Sequence, residues 1–123
     1  NSIKNDSKCF DVGFGGALGA ISRYLINELF YIYINQSSWT ATLTINIIGC
    51  FFIGLFLGSY IPSRDATFYF FVIGFLGSFT TMSAFSHQVI LMADSNIIGA
   101  VSYIMLTVIL TILATYIGAS FTK

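Results

Sequence analysis

FYFFVIGFLGSFTTMSAFSHQVILM, residues 68–92, decides the class of this chain. It holds no Lys, Arg, Asp or Glu. A helix needs roughly 20 apolar residues to cross a hydrocarbon core of about 30 Å, and this stretch is long enough. Its centre is unusual for a plain span. Gly74-Phe75-Leu76-Gly77-Ser78-Phe79-Thr80-Thr81-Met82-Ser83-Ala84-Phe85-Ser86 places two glycines and five hydroxyls at mid-depth. Two readings are open from the residues alone. The helix breaks there, and freed carbonyls and hydroxyls coordinate a cation, as in discontinuous transporter helices. Alternatively it continues, and the hydroxyls bond back to carbonyls one turn earlier.

Working outward, three more apolar segments flank it, at about 12–34, 40–61 and 97–121. Pro62-Ser63-Arg64-Asp65 and Asp94-Ser95-Asn96 are the polar turns on either side of the third segment. The gaps are short, so neighbouring segments form antiparallel hairpins. No segment alternates in polarity as barrel strands do, and lipid-spanning backbone must satisfy itself within the segment. The fold expected is all-α: one domain over 1–123, with four transmembrane helices, the third broken near Gly77 to Thr81. Residues 1–11 read as a polar lead-in. They do not read as a signal peptide, because the apolar stretch that follows is interrupted by Arg23 and repeated three more times.

Composition agrees. Only 8% of the 123 residues are charged, against 56% hydrophobic; a soluble domain carries about a quarter charged residues. A globule this small could not cover its apolar side chains with polar surface, so its solvent is lipid. The formal net charge is zero and no basic run exists, which excludes a nucleic-acid face. Cys9 precedes the first segment and Cys50 lies mid-way along the second, depths too different for a disulfide. No phosphate loop and no catalytic cluster is present, and the lone His87 has no partners for a metal site. The chain reads as no enzyme.

Polar groups inside a membrane are costly and so are functional candidates. Asn46, mid-way along the second segment, brings amide donors that suit either an anion or a helix–helix hydrogen bond. Tyr103, Thr107, Thr111 and Thr115 recur every four residues and form one polar stripe. That stripe serves either as a hydroxyl ladder for a dehydrated anion or as packing. Gly15 and Gly19, and Gly54 and Gly58, have the spacing that lets helix backbones approach. Arg23 and Glu28 are five apart, off the favoured intrahelical pairing. Arg23 is placed either snorkelling to the interface or at the mouth of an aqueous vestibule.

Three motifs together resemble the Fluc (CrcB-type) fluoride channels: GGALGAISRY at 15–24, TLTINIIG at 42–49, and the third-segment stretch from Gly74 to Ser86. The resemblance runs from about Gly13 to Gly118. It implies an antiparallel dimer of four-helix subunits in the cell membrane, exporting fluoride passively through two pathways that flank a buried sodium ion. By this resemblance the backbone carbonyls of Gly77 and Thr80 bind sodium and Asn46 binds fluoride. Phe85 lines the pathway with its ring edge, Met82 and Ser83 stand beside it, Tyr103, Thr107 and Thr111 form the polar track, and Arg23 sits in or near the vestibule. The chain departs from the family's usual Thr-Thr-Phe-Ser-Thr-Phe at Met82 and Ala84, and Gln88 stands where an acid is frequent. Met82 lacks an aromatic edge, which leaves room for a structural subunit working beside a non-identical partner. A dual-topology antiporter is the other rival. It needs an embedded carboxylate, and only Glu28, near a segment end, is available.

The partner question generates a test. With four spans both termini share a side with Lys4, Lys8, Arg64 and Lys123, while the opposite loops hold no Lys or Arg. The positive-inside rule then predicts cytoplasmic termini and pairing with a homologous chain of opposite orientation; an ordinary homodimer is the alternative. Single cysteines at positions 2 and 37 should label unequally from outside the cell, position 37 strongly. Equal labelling would mean dual insertion and no need of a second chain.

Overall fold

The computed structural model describes residues 2–34, 38–58 and 65–122, and all of its elements are helical. Helix α1 spans Ser2–Leu29 and runs on as a π-helical turn, Phe30–Ile34. Helix α2 spans Ser38–Leu57. The third rod opens with a π-helical segment, Phe68–Leu76, passes into one α-turn, α3 (Gly77–Phe79), and after an interruption continues as α4 (Met82–Ser95). Helix α5 spans Ile97–Thr122. The lead-in expected at 1–11 is therefore part of α1 from Ser2 onward. Of the turn expected at 62–65, only Asp65 lies within the described residues. Its Oδ1 accepts the Phe68 N–H at 3.1 Å and caps the third rod.

Close contacts fix the directions. Gly15 packs on the Phe70 carbonyl, Gly19 on that of Phe75, and Arg23 reaches Ser78, so α1 and the third rod run parallel. Gly54 meets Thr115, Gly58 meets Ala119, and Gly118 meets Phe51, so α2 and α5 run parallel. Thr42 pairs with Gln88 and Asn46 with Thr81, so α2 and the third rod are antiparallel. This is an up-down-up-down bundle. Asn96 makes the last reversal: its N–H closes α4 on Met92 O at 2.7 Å, and its Oδ1 caps Gly99 N at 2.9 Å. An Asx side chain is suited to serve as such a cap.

Trp39–Leu57, Phe68–Ser95 and Ile97–Thr122 are long and apolar enough to cross a membrane. Helix α1 has the length, at 28 residues, but carries Asp6, Lys8, Asp11, Arg23 and Glu28. It is the most polar of the four rods. Most of the outward surface is apolar, with Phe14, Ile21, Ile98, Met105, Ile112 and Tyr116 all exposed, and Ser83, Ser86, His87 and Asp94 are among the polar residues that share it. So much apolar surface is rare on a water-soluble monomer and is the ordinary state of a lipid-facing bundle. The inside is small: Ala41, Ile45, Leu76, Phe79, Ala100, Tyr103 and Ala114.

The bundle depends on glycine where backbones touch. A methyl at Gly54 would fall on the Thr115 carbonyl oxygen and lie 2.8 Å from Ala119 N. Both are main-chain atoms, which yield only if the helices part. At Gly13 a methyl meets nothing within 4 Å. Gly54→Ala should therefore destabilise by about 1–3 kcal/mol through overpacking, and Gly13→Ala should be neutral or gain about 0.5–1 kcal/mol of helix propensity. Thermal melts of the detergent-solubilised protein compare the two; equal melting temperatures would contradict the α2–α5 contact.

Candidate functional site

The third rod is broken at Thr80 (φ −76°, ψ 154°) and Thr81 (φ −147°, ψ 117°), both extended. In a continuous helix Thr81 N–H would bond Gly77 O, and Ala84 N–H would bond Thr80 O. Here Thr81 N–H donates to Asn46 Oδ1 at 2.8 Å, and Asn46 Nδ2 donates back to Thr81 O at 3.2 Å. Ala84 N–H turns to Thr81 Oγ1 at 3.2 Å, the N-cap of α4. An asparagine amide has donor and acceptor side by side, so one residue satisfies both main-chain groups of Thr81. Thr80 ends the upstream half. Its N–H and its Oγ1 both reach Leu76 O, at 3.1 and 3.0 Å. Gly49 on α2 leaves space for the Thr80 methyl, where a Cβ would collide. Arg23 Nε donates to Ser78 O at 3.1 Å and fills one carbonyl at the end of α3.

Beside the break lies a cavity of about 210 Å³. Asn46 and Cys50 line it from α2; Thr80, Thr81, Met82 and Phe85 from the third rod; Thr107 and Thr111 from α5. A water's share of volume is about 30 Å³, so an ion fits with several waters around it. The surroundings favour an anion. The first turn of α4 borders the cavity at Met82 and Phe85, a helix N-terminus carries partial positive charge, and Asn46 retains a second amide hydrogen after bonding Thr81. Thr107 Oγ1 is buried with no hydrogen-bond partner among the described residues. Its neighbours on the stripe differ: Thr111 Oγ1 donates to Thr107 O, and Thr115 Oγ1 to Thr111 O at 3.0 Å.

A second cavity of about 300 Å³ lies toward the α1–α2 connection, where Asn27, Glu28, Tyr31, Thr42 and Gln88 supply its polar groups. On the wall of this cavity Gln88 Nε2 donates to Thr42 Oγ1 at 2.9 Å, and Gln88 Oε1 accepts from Tyr103 OH at 2.9 Å. Tyr103, only 2% exposed, is held by edge contacts to Trp39 (5.6 Å) and Phe85 (5.1 Å).

Residues 10–119 match the family described as CrcB-like protein, Camphor Resistance (CrcB). The chain belongs to this family. It is similar to the protein named fluoride-specific ion channel FluC of Flavobacterium psychrophilum, 38% identical over 119 residues that cover 93% of this chain and 95% of that one. The proteins of the same name from Nitratiruptor sp. and Campylobacter lari are each 42% identical, covering 91% and 87% of this chain and 89% and 90% of theirs.

Against this CrcB family background, the structure brings together Asn46, Thr80, Met82, Phe85, Thr107 and Thr111 of the sequence-predicted residues. It does not bring in the others. Tyr103 stands behind Phe85, and Ser83 is exposed with its Oγ 3.3 Å from Thr81 Oγ1. Arg23 lies at the end of α3, and Gly77 is helical (φ −62°, ψ −32°), so the break begins one turn later than that glycine. Sequence reasoning missed Cys50 on the cavity wall, and it missed the Thr42–Gln88–Tyr103 bridge. Both partners of Gln88 are distant in sequence, and only its mid-span polarity could have drawn notice. Among the described residues no group of three or more His, Cys, Asp or Glu side chains could hold a metal.

The Asn46 clamp predicts an asymmetric mutant. Asn46→Asp retains the acceptor for Thr81 N–H and loses the donor to Thr81 O, and the loss of one such hydrogen bond costs about 0.5–1.5 kcal/mol. The melting temperature of N46D should fall by a corresponding several degrees. An unchanged melt would mean that the break stands without the clamp.

Proposed function

We propose that this chain is a subunit of a fluoride-selective channel of the cell membrane, through which fluoride leaves passively. The observation that carries the reading is the cavity at the start of α4, where Asn46, Thr107 and the helix N-terminus converge; it is supported by relatives that bear the fluoride-channel name. Fluoride is small and strongly hydrated, so leaving water requires short replacement donors. The free Asn46 N–H, the Thr107 hydroxyl and the α4 N–H groups are such donors. Phe85 adds the positive edge of its ring, while Thr111, whose proton goes to Thr107 O, only shapes the wall. A ring of short donors favours fluoride over the larger chloride.

The dimer and the sodium ion belong to this reading. With Thr81 N–H given to Asn46 and Ala84 N–H given to Thr81 Oγ1, the carbonyl oxygens of Gly77 and Thr80 have lost their helical donors. They are hard, neutral oxygens suited to sodium. One chain supplies too few for a full shell, so an antiparallel second copy completes it. When bound, sodium supplies fixed positive charge between subunits. Arg23 already places a cation at the adjacent Ser78 carbonyl.

A second reading rests on Met82, which lines the cavity yet is 72% exposed and brings a thioether in place of an aromatic edge. On that reading the chain completes the pore of a homologous partner and conducts poorly alone. The antiporter is disfavoured: Glu28, the carboxylate on the second cavity's wall, is near the end of α1.

Fluoride efflux from liposomes holding only this chain separates these. We expect fluoride-selective efflux without a proton gradient, and a fall of about tenfold or more, some 1.4 kcal/mol on the barrier, in Asn46→Leu and in Phe85→Leu with assembly intact. Normal flux in both variants would place the pathway elsewhere. Silence rescued by a second chain would establish the structural subunit.

A further inference from the structure

Two sulfur atoms stand on the wall of the cavity beside the break, and neither is among the fluoride donors named above. Cys50 lines it from α2 and Met82 from the third rod. Cys50 is a free, half-buried thiol, one turn beyond Asn46 on the same helix face. Met82 follows Thr81, which Asn46 holds by two hydrogen bonds. The clamp therefore ties the two sulfur-bearing positions together across the contact between α2 and the third rod. Met82 is exposed, so packing does not pin it. Its unbranched side chain turns about three bonds and adapts to what it meets. Thr107 closes the third wall with a buried hydroxyl that has no partner among the described residues.

Thiolate and thioether are soft ligands, and they select Cu(I) or zinc over magnesium, calcium or manganese. A zinc site takes four ligands from Cys, His, Asp or Glu, and the described residues hold no group of even three. A soft monovalent cation is satisfied by two sulfurs. We propose that Cys50 and Met82 form a site for such a cation, Cu(I) or Ag(I), which closes the fluoride route when it is filled. On binding, the Cys50 S–H bond breaks and its proton goes to water in the cavity. The Sγ–metal bond forms, Met82 Sδ donates a lone pair, and Thr107 Oγ1 offers a third, weaker one. No electron is transferred, and the metal stays monovalent. The thiolate cancels the metal's charge, so the filled site is neutral. A divalent ion there would leave one positive charge in apolar surroundings, which is costly. The phenylalanine usual at position 82 in the family has no lone pair to give, so the site arises from this chain's departure to Met82. Closure rests on the reading of the cavity as a fluoride route; the two-sulfur site does not.

Silver is the probe, with the full chain in liposomes, empty vesicles subtracted, and a chloride-free fluoride medium in which silver stays dissolved. Cys9 is the only other cysteine and is exposed, so C9S is the parent. C9S should bind a single silver ion, with two sulfur neighbours in its X-ray absorption spectrum. C9S/C50S should bind none, and C50A replaces C50S if that variant fails to assemble. C9S/M82L should bind silver more weakly by about tenfold or more, some 1.4 kcal/mol, with one sulfur neighbour. C9S/M105L loses an exposed thioether outside the cavity and should bind as C9S does. Zinc should not compete. Saturating silver should stop fluoride efflux through C9S, and dithiothreitol should restore it. Efflux through C9S/C50S, whatever its own rate, should not respond. Equal affinity without Met82, or one sulfur neighbour in C9S, would overturn the two-sulfur site. Silver bound with efflux undiminished would overturn the closure. A chain that binds silver through two sulfurs but carries no fluoride even in its absence would strike the channel reading and leave the site standing.

Discussion

Two hydrogen bonds between Asn46 and Thr81 are the constraint on which the structure depends. A helix interrupted at mid-membrane leaves main-chain groups without partners, and no water is at hand to serve them. Each such group costs several kcal/mol in hydrocarbon. Asn46 takes both groups of Thr81, Thr81 Oγ1 takes Ala84 N–H, and Arg23 takes Ser78 O. These partners come from α2, from the break itself and from α1, so the interruption is held from three directions. The groups left over are the useful ones: carbonyls on the α3 side and N–H groups on the α4 side. One break thus presents a cation-seeking end and an anion-seeking end a few residues apart.

That arrangement explains the weight of glycine elsewhere. Asn46 and Arg23 reach the break only if α2 and α1 lie close against their neighbours. Gly15 and Gly19 let α1 rest on the main chain of the π-helical segment, and Gly74 returns the contact from the other side. Gly54, Gly58 and Gly118 do the same between α2 and α5. Without a hydrophobic drive between helices in lipid, such contacts supply the packing that sets helix positions. Gly49 has a more local part, leaving the Thr80 methyl a place to sit as the chain leaves the helix. Small residues in this protein therefore serve the polar site as much as the bundle.

Much of this was legible in the sequence, and the limits have physical causes. Four apolar segments and their turns follow from length and charge. The glycine pairs at 15/19 and 54/58 foretold backbone contact, and the cluster of glycines and hydroxyls foretold a break. The break was expected near Gly77 to Thr81, and it falls at the downstream end of that range, at Thr80 and Thr81. Gly77 is the residue with the greatest freedom, yet it stays helical, because Asn46 selects Thr81 from 35 positions away. Gln88 read as a departure from a family pattern; its bonds to Thr42 and Tyr103 appear only when three helices are assembled. The polar lead-in at 1–11 is helical from Ser2 in spite of its charges. The π winding of Phe68–Leu76 carries no local signature; it shows only in the Gly77 N–H, shared between Val72 O and Gly74 O as the chain tightens again.

The threonine stripe of α5 shows why position matters more than residue type. A hydroxyl on a helix in apolar surroundings finds its nearest acceptor in a carbonyl one turn back. Thr111 and Thr115 do this, so what they turn outward is lone pairs. Read as a ladder of donors, the stripe would have three threonine rungs; among the described residues only the Thr107 hydroxyl of that stripe has no partner. An anion moving along α5 would therefore meet repulsion over most of its length. The level at which Thr107 shares a cavity with Asn46 and the first turn of α4 is the exception. Dehydrating fluoride demands several donors at once, and the break is the only place among the described residues where main chain and side chains offer them together. Selectivity, on this argument, is a property of the broken helix. The hydroxyl stripe supports it by shaping the wall and by keeping a single free proton where the break can use it.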